Sequence, residues 1–373
     1  MHQYLKSVIT AFLILFIVGC DQIEEYDPTK PGEEVPLLQI IIEPEEYQQL
    51  LGNKTIDAPV TAEFYYQGRR SVGRIRSSGA SSRYTIRWNY RVALQGGSSI
   101  EGLKEFNLNS QAEDNSMLKT SVAQLVYSKL GFPAFKQKYV RIRINEGAEL
   151  LSVLVEPIKE NFFVRKGIHI QELYQLGFKG RFSLKGSPNI SNNFEKKYPE
   201  DDNFGTLADL LMAVDSANPI QAYQSLSKII DINQYLRYHA ATAALKLHDN
   251  FNNNFYLYTS MSDNKFNVIP WDFDRWDDIS ADGDYYGKNE IIDVLKQCPE
   301  GIALYHNYMV QIRDSVLTEP VLFAVIDSLS GLIREPHKND LFLGKSGFDL
   351  DREATRLKKF LTDRKKYLRS VNP

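Results

Sequence analysis

Cysteine is nearly absent from this chain, whose 373 residues include only Cys20 and Cys298. Two cysteines cannot build a disulfide framework or a four-cysteine zinc site, which excludes a disulfide-stapled secreted miniprotein. Long apolar stretches are also scarce, and the run at residues 8–18 is too short to cross a bilayer as a helix. The formal net charge is only −3, and no concentrated basic segment predicts nucleic-acid binding.

The short apolar run is instead typical of an export signal. It follows Lys6 and ends in the residues Phe16-Ile17-Val18-Gly19-Cys20, which have the pattern of a lipobox. We therefore expect residues 1–19 to be a lipoprotein signal peptide and the Cys20 thiol to carry the lipid that holds the protein on a membrane. The alternative is an ordinary signal peptide followed by an incidental cysteine.

Residues 20–36 are predicted to be an acidic tether, and residues 37–373 to be the folded domain. The tether contains four acidic residues between positions 21 and 27 and then Pro31-Gly32, a composition typical of a solvated linker. An acidic stretch directly after a lipidated cysteine favours a bacterial outer-membrane lipoprotein, either periplasmic or exposed at the surface. The remaining chain is long enough to bury a core, since 43% of all residues are hydrophobic.

The pattern of elements predicts an α+β fold with a strand-rich N-terminal half and a helix-rich C-terminal half. Alternating or β-branched segments predict strands, and 3.6-residue spacing predicts helices. The predicted strands are 37–42, 59–66, 71–77, 90–94, 137–144, 150–155, 255–259 and 266–269. The predicted helices are 44–51, 114–130 (with Asp114 as N-cap), 206–215, 220–228, 232–247 and 349–368.

Candidate catalytic residues lie at the two ends of the predicted hairpin 255–269. Asp249 and Asn254 precede its first strand, and Asp272 and Asp274 follow its second strand. A hairpin brings these two ends together, so several oxygen ligands would converge on one small volume. Mg²⁺ and similar hard cations prefer such ligands, together with phosphate oxygens. The alternative is a solvated acidic turn, which this spacing alone does not exclude.

The same stretch resembles the CotH (spore coat protein H) family of atypical kinases. The matching residues are His248-Asp249, the strand-opening Asn254 and Ile269-Pro270-Trp271-Asp272-Phe273-Asp274. Upstream segments are similar to further motifs of that family: 76–83 to its Arg-x-Gly-x-Ser-Ser loop, Leu108-Asn109-Ser110 to its Leu-Asn-Ser block, and Leu154-Val155-Glu156 to a strand that ends in glutamate. The resemblance covers about residues 40–280 and implies a two-lobed, protein-kinase-like fold.

The resemblance also implies residue roles. Asp249 would be the catalytic aspartate, Asn254 and Asp272 would be metal ligands, and Asp274 would be an accessory ligand or would support one. The implied cofactors are ATP and Mg²⁺ or Mn²⁺, and the implied reaction is phosphoryl transfer to a hydroxyl of a protein substrate. The residues expected on the ATP side are Arg76, Arg83, Arg87 and Glu156. For Arg76 and Arg83, an ordinary polar hairpin with surface arginines is the alternative.

The chain departs from the family where ATP would be held. Arg87 and Trp88 stand in place of a Lys-Lys pair, and Gln175 stands in place of a lysine. Arginine keeps the charge but not the compact ammonium, so the exchange is not conservative at a phosphate site. A second hypothesis is therefore a catalytically degraded family member that serves as a binding or assembly protein of the cell envelope.

One further acidic segment follows the candidate catalytic residues. Asp277, Asp278, Asp282 and Asp284 surround Gly283. A solvated turn is favoured here over a calcium site, because the register and terminal glutamate of a calcium-binding loop are missing.

Overall fold

The computed structural model describes residues 34–52, 58–79, 83, 85–177, 180–185 and 189–372. The predicted signal peptide, Cys20 and nearly all of the predicted tether lie outside these residues. So do residues 80–82 of the loop before Arg83.

Seven strands of the N-terminal part close into a barrel in the order β1-β2-β3-β4-β5-β7-β6. Neighbouring strands are antiparallel, except that β1 and β6 pair in parallel. The helix α1 (Pro44–Gly52) connects the first two strands. The strands are β1 (Leu37–Ile41), β2 (Val60–Tyr66), β3 (Arg69–Ser78), β4 (Asn89–Leu94), β5 (Glu105–Asn109), β6 (Gln137–Ile144) and β7 (Leu150–Val155).

Alternation of side chains explains how the barrel is filled. In β4, Tyr90 and Val92 are buried inside the barrel, and in β5 the same holds for Phe106 and Leu108. The residues between them lie on the outer face, as expected for the period of two in a strand. On β7 the outer face is also covered, because Val153 belongs to the core of the rest of the protein.

A second sheet and most of the helices form that other core. The sheet has four antiparallel strands in the order β11-β10-β8-β9. Its strands are β8 (Ile170–Leu176), β9 (Phe194–Tyr198), β10 (Phe255–Ser260) and β11 (Phe266–Pro270). The helices are α2 (Lys119–Lys129), α3 (Glu160–Arg165), α4 (Gly205–Val214), α5 (Pro219–Ile229), α6 (Ile232–Leu245), α7 (Glu290–Leu295), α8 (Pro299–Gln311), α9 (Glu319–Asn339) and α10 (Leu350–Val371).

The predicted helix at 114–130 is shorter than the sequence indicated. Helix α2 begins only at Lys119, because Met117 has a left-handed backbone with φ of 62° and cannot belong to an α-helix. Asp114 is therefore not the N-cap. Its carboxylate instead accepts hydrogen bonds from the backbone N–H groups of Ser116 (2.9 Å) and Lys119 (2.8 Å), which orders the turn before the helix.

The structure confirms the predicted hairpin of β10 and β11, in which Phe255 lies opposite Pro270. It also confirms the closing helix, found as α10, and gives a mixed α/β fold as predicted. Among the described residues no single helix has the length and apolar composition to cross a bilayer. The helical segments Pro299–Val316 and Glu319–Asn339, bent by 59° from each other, meet both criteria only as a pair.

Candidate active site

Asp249 lies in a short 3₁₀ helix, His248–Phe251, between α6 and β10. Helix α6 ends because Lys246 adopts a left-handed conformation, with φ of 53°. The Asp249 carbonyl then accepts backbone hydrogen bonds from Asn253 (2.8 Å) and Asn254 (3.3 Å). This tight turn fixes Asp249 relative to the first residue of the hairpin.

The two ends of the hairpin are tied together by amide side chains. Asn250 donates from Nδ2 to the carbonyls of Asn254 and Trp271, both at 2.8 Å. Asn254 donates from Nδ2 to the Asp272 carbonyl at 3.2 Å, which leaves its Oδ1 as an acceptor. The structure thus brings Asp249, Asn254 and Asp272 to one end of the hairpin, as the sequence predicted.

Asp272 itself has an uncommon backbone conformation. Its φ is 58°, in the left-handed region that aspartate tolerates better than most residues. Burial and, to a smaller extent, the negative charge of Asp249 raise the pKa of the Asp272 carboxyl to about 6, against the opposing effect of a hydrogen bond with Asn109. Asp249 and Asp272 therefore lie close enough for their charges to interact. Asn109, at the end of the barrel strand β5, contacts the same site.

Asp274 is directed toward the loop before α2. Its Oδ2 accepts a long hydrogen bond (3.5 Å) from the backbone N–H of Glu113. Burial raises the pKa of Asp274 well above its ordinary value, and the charges of Asp272 and Asp114 raise it as well. Within the part of the chain that the structure describes, neither Asp272 nor Asp274 forms an ion pair with a basic side chain.

This donor set fits a divalent cation. The carboxylate of Asp272 and the free amide oxygen of Asn254 are the oxygen ligands that Mg²⁺ and Mn²⁺ accept. Burial is the main cause of the raised pKa values of Asp272 and Asp274, and repulsion by neighbouring carboxylates adds to it. A cation at this position would relieve that repulsion. Asp249, paired at 3.2 Å with the exposed side chain of Arg275, stays accessible beside them.

Two of the predicted ATP-side residues have partners within the protein. Glu156 is buried and forms a bidentate ion pair with Arg165 of α3, with Arg165 Nε at 2.9 Å from Oε1. It also accepts a hydrogen bond from the backbone N–H of Lys136 at 2.9 Å. Arg87 is only 6% exposed and donates to the Ser110 carbonyl and to the sulfur of Met117.

The surroundings of Arg87 are acidic. Burial lowers the pKa of Arg87, and the carboxylates of Asp340, Asp114 and Asp274 counteract this effect. Its Nη1 is buried and has no hydrogen-bond partner among the described residues. Of the other two predicted arginines, Arg76 lies on the outer face of β3, and Arg83 is partly buried. Whether any of the four residues binds ATP stays a prediction.

Sequence reasoning gave no role to Asn109, which the structure brings into the site. This residue was noted only as part of a motif, although its side chain forms a hydrogen bond with Asp272. The signal was the alternation in β5, which places Asn109 on the outer face beside the inward-facing Leu108.

The acidic segment that follows is more ordered than predicted. Lys246 Nζ lies 3.0 Å from Asp277, and His248 Nε2 lies 2.9 Å from Asp284. Ligand atoms of His248, Asp277 and Asp284 lie within 4.8 Å of one another, but Lys246 already supplies a cation there. The prediction of a solvated turn is wrong for Asp278, whose side chain is 8% exposed and pairs with both Lys119 and Arg356.

Comparison with known proteins gives a family and one curated relative. Residues 75–368 match the family model described as CotH kinase protein. The inner spore coat protein H of Bacillus subtilis (strain 168) is 23% identical in an alignment of 361 positions that covers 91% of this chain and 98% of that protein.

Two solved structures are also similar in part. One is the proinflammatory kinase CtkA of Helicobacter pylori, with 12% identity, a TM-score of 0.34, and coverage of 84% of this chain and 94% of that chain. The other is the toxin–antitoxin complex of HipA, HipB and operator DNA from Shewanella oneidensis MR-1, with 12% identity, a TM-score of 0.32, and coverage of 92% and 74%. Scores of this size do not establish a common fold.

Proposed function

Because this chain belongs to the CotH kinase protein family, we propose that it is an atypical kinase that transfers phosphate from ATP to a protein hydroxyl. The observation that carries the proposal is the convergence of Asp249, Asn254 and Asp272 at one end of the β10–β11 hairpin. The proposal includes a two-lobed, kinase-like arrangement in which this hairpin end faces the barrel.

Each residue has a distinct task in the proposed reaction. Asn254 and Asp272 hold a divalent cation, which neutralises phosphate charge. Asp249, whose side chain is 34% exposed, orients the acceptor hydroxyl and receives its proton. Asp274 holds the loop before α2 through the Glu113 N–H and supports Asp272 from the buried side. Phosphoryl transfer needs such positioning and charge neutralisation more than a nucleophilic side chain.

Metal-dependent ATP binding is the direct test. Isothermal titration of ATP into the purified protein should show binding with Mg²⁺ or Mn²⁺ and at least a tenfold weaker affinity with chelator, because the phosphates need the cation to approach the carboxylates. Absence of ATP binding in both conditions would contradict the proposal. It would favour the second hypothesis of a degraded family member with a binding or assembly role in the envelope.

We also propose that the protein is anchored through a lipid on Cys20, as a lipoprotein of the outer membrane, either periplasmic or surface-exposed. In detergent phase separation of cells that express the protein, the wild type should enter the detergent phase, and Cys20→Ser should enter the aqueous phase. Cys298→Ser is the matched control, since Cys298 is buried and should not affect partitioning. Equal partitioning of the wild type and Cys20→Ser would exclude a lipid at this residue.

A further inference from the structure

A polar cavity of about 450 Å³ lies against the second sheet. Its walls include Glu172 of β8 and Thr259 of β10, which are directly opposed in the antiparallel pairing and therefore project from the same face of the sheet. At about 3.4 Å per residue, Thr259 lies on the order of 17 Å from Asn254 along β10. The cavity is thus separate from the candidate active site that Asn254 and Asp272 form.

The Thr259 hydroxyl is the feature that most clearly indicates a ligand. Thr259 is only 1% exposed, and its Oγ1 has no hydrogen-bond partner among the described residues. A buried hydroxyl without a partner lowers the stability of a protein, so most buried polar groups are paired with the protein, with water or with a ligand. Because Thr259 lines the cavity, a molecule in the cavity can supply that partner.

Two carboxylates that line the cavity each have an oxygen that is free to accept a hydrogen bond. Glu172 accepts from the Tyr174 hydroxyl at 2.8 Å through Oε1. Asp201 accepts from the backbone N–H of Asn203 at 3.0 Å through Oδ1. Within the described part of the chain, Glu172 Oε2 and Asp201 Oδ2 accept no hydrogen bond. These open acceptors suit a ligand that carries hydrogen-bond donors.

Lys196 of β9 orders the two carboxylates and restricts which ligand can bind. Its side chain is 3% exposed, and its Nζ lies 2.5 Å from Asp201 and 3.6 Å from Glu172. The same ammonium donates to the Asn203 carbonyl at 2.6 Å. Lys196 therefore occupies the place between the carboxylates that a metal cation would take. Two carboxylates and one ammonium also leave a net negative charge, which repels phosphate and other anions.

We propose that this cavity binds a neutral saccharide, whose hydroxyl groups donate to Glu172 and Asp201 and pair with the Thr259 hydroxyl. Saccharide hydroxyls donate and accept hydrogen bonds without carrying charge, which matches open carboxylate oxygens beside one free hydroxyl. The volume lies in the range of about 300–1,000 Å³ that is typical of small-ligand sites. Apart from one proline, the other residues that line the cavity are also polar: Gln171, Lys196, Asn203, Thr206 and Asn264.

The test screens the purified protein on an array of neutral glycans and measures the strongest binder by isothermal titration. Thr259→Val keeps the shape of the side chain without the hydroxyl, so it should weaken binding about fivefold. Glu172→Gln removes a charged acceptor and should weaken binding about tenfold or more. The matched control is Glu195→Gln, which should keep wild-type affinity, because Glu195 precedes Lys196 on β9 and projects from the other face of the sheet.

Wild-type affinity in Thr259→Val, or no binding to any glycan of the array, would overturn the proposal. Thr259→Val should unfold at the same temperature as the wild type or higher, because it removes a buried hydroxyl that has no partner in the free protein, so its weaker binding would not reflect misfolding. If Glu172→Gln does not fold, as judged by circular dichroism, Thr259→Val decides alone.

The saccharide site and the proposed kinase can fail separately. Asp272→Asn should retain the glycan affinity of the wild type, since Asp272 lies at the opposite end of the hairpin from Thr259. Loss of glycan binding in Asp272→Asn would place the glycan at the candidate active site and would overturn the assignment to this cavity. Glycan binding that depends on Thr259, in a protein without ATP turnover, would retain the saccharide site and remove the kinase.

Discussion

Replacing Asp272 by asparagine is expected to reduce metal-dependent ATP turnover about a hundredfold or more, because the amide keeps the shape of the side chain but cannot neutralise a cation. Asp249→Ala should have an effect of similar size through loss of the group that orients the acceptor. The measurement is ADP release with Mn²⁺ or Mg²⁺. Asp282→Asn, an exposed aspartate in the following segment, is the matched control and should retain wild-type turnover. Turnover of Asp272→Asn at the wild-type level would exclude Asp272 as a ligand.

The same substitution should stabilise the protein when no metal is present. The pKa of Asp272 is raised from an unfolded-state value of about 3.9 to about 6 in the folded protein. Below about pH 4 the carboxyl is protonated in both states and does not lower the free energy of unfolding. As the pH rises through about 6 the folded protein loses stability, because ionisation of Asp272 is less favourable there than in the unfolded chain. At pH 7.5 with chelator, Asp272→Asn should be more stable than the wild type by about 2–3 kcal/mol.

Urea unfolding at two pH values checks this sign. The difference in free energy of unfolding between Asp272→Asn and the wild type should shrink at pH 4.5. At that pH the carboxyl is largely protonated in the folded state and lowers its stability only slightly. With saturating Mg²⁺ the wild type should become more stable than Asp272→Asn, because a cation that binds only the folded wild type stabilises it. A stability difference that does not change with pH would mean that Asp272 is not held in an unfavourable ionised state.

Local patterns predicted much of this structure. Strands β6 and β7 lie at the predicted residues, 137–144 and 150–155, on either side of the predicted turn at Asn145-Glu146-Gly147. Helical spacing placed α6 and α10 to within a few residues. The hairpin that carries Asp272 was predictable because two short β-branched and aromatic segments flank a turn at Asn264. The convergence of Asn254 and Asp272 follows from that hairpin, and the tight turn before it adds Asp249.

Features that depend on distant segments were not predictable. The barrel closes by parallel pairing of β1 and β6, which are separated by about a hundred residues, so no local pattern reports it. Glu156, which the family resemblance placed on the ATP side, forms an ion pair with Arg165 that its motif did not predict. The position of Asp114 is typical of an N-cap, but the left-handed backbone of Met117 makes the helix begin only at Lys119.

Arg364 of α10 shows most clearly what sequence patterns miss. The many charged residues of the last helix predict that Arg364 is exposed, yet its side chain is fully buried. Burial lowers the pKa of Arg364 to about 10, so the group is still charged at neutral pH. Its guanidinium donates to five backbone carbonyls: Ala243 (2.8 Å) and Ala244 (3.2 Å) at the end of α6, and Ala281 (2.6 Å), Gly283 (2.7 Å) and Asp284 (3.4 Å) in the acidic segment.

Arg364→Met is therefore expected to destabilise the protein by about 3 kcal/mol or more, because several buried carbonyls lose their donor at once. Methionine keeps the length and helix propensity of the side chain, so the loss reports the hydrogen bonds. The matched control is Lys366→Met on the same helix, whose side chain is 74% exposed and should change stability by about 0.5 kcal/mol or less. Urea unfolding of both variants gives the comparison.

The position of these carbonyls links stability to the site. Arg364 joins the end of α6, which leads into Asp249, to the segment 281–284 that follows Asp272 and Asp274. Loss of these hydrogen bonds should weaken metal-dependent ATP binding as well as the stability of the fold. Arg364→Lys should recover only part of both, since one ammonium cannot reach carbonyls on two segments. If Arg364→Met matches Lys366→Met in stability, the guanidinium does not hold these segments together.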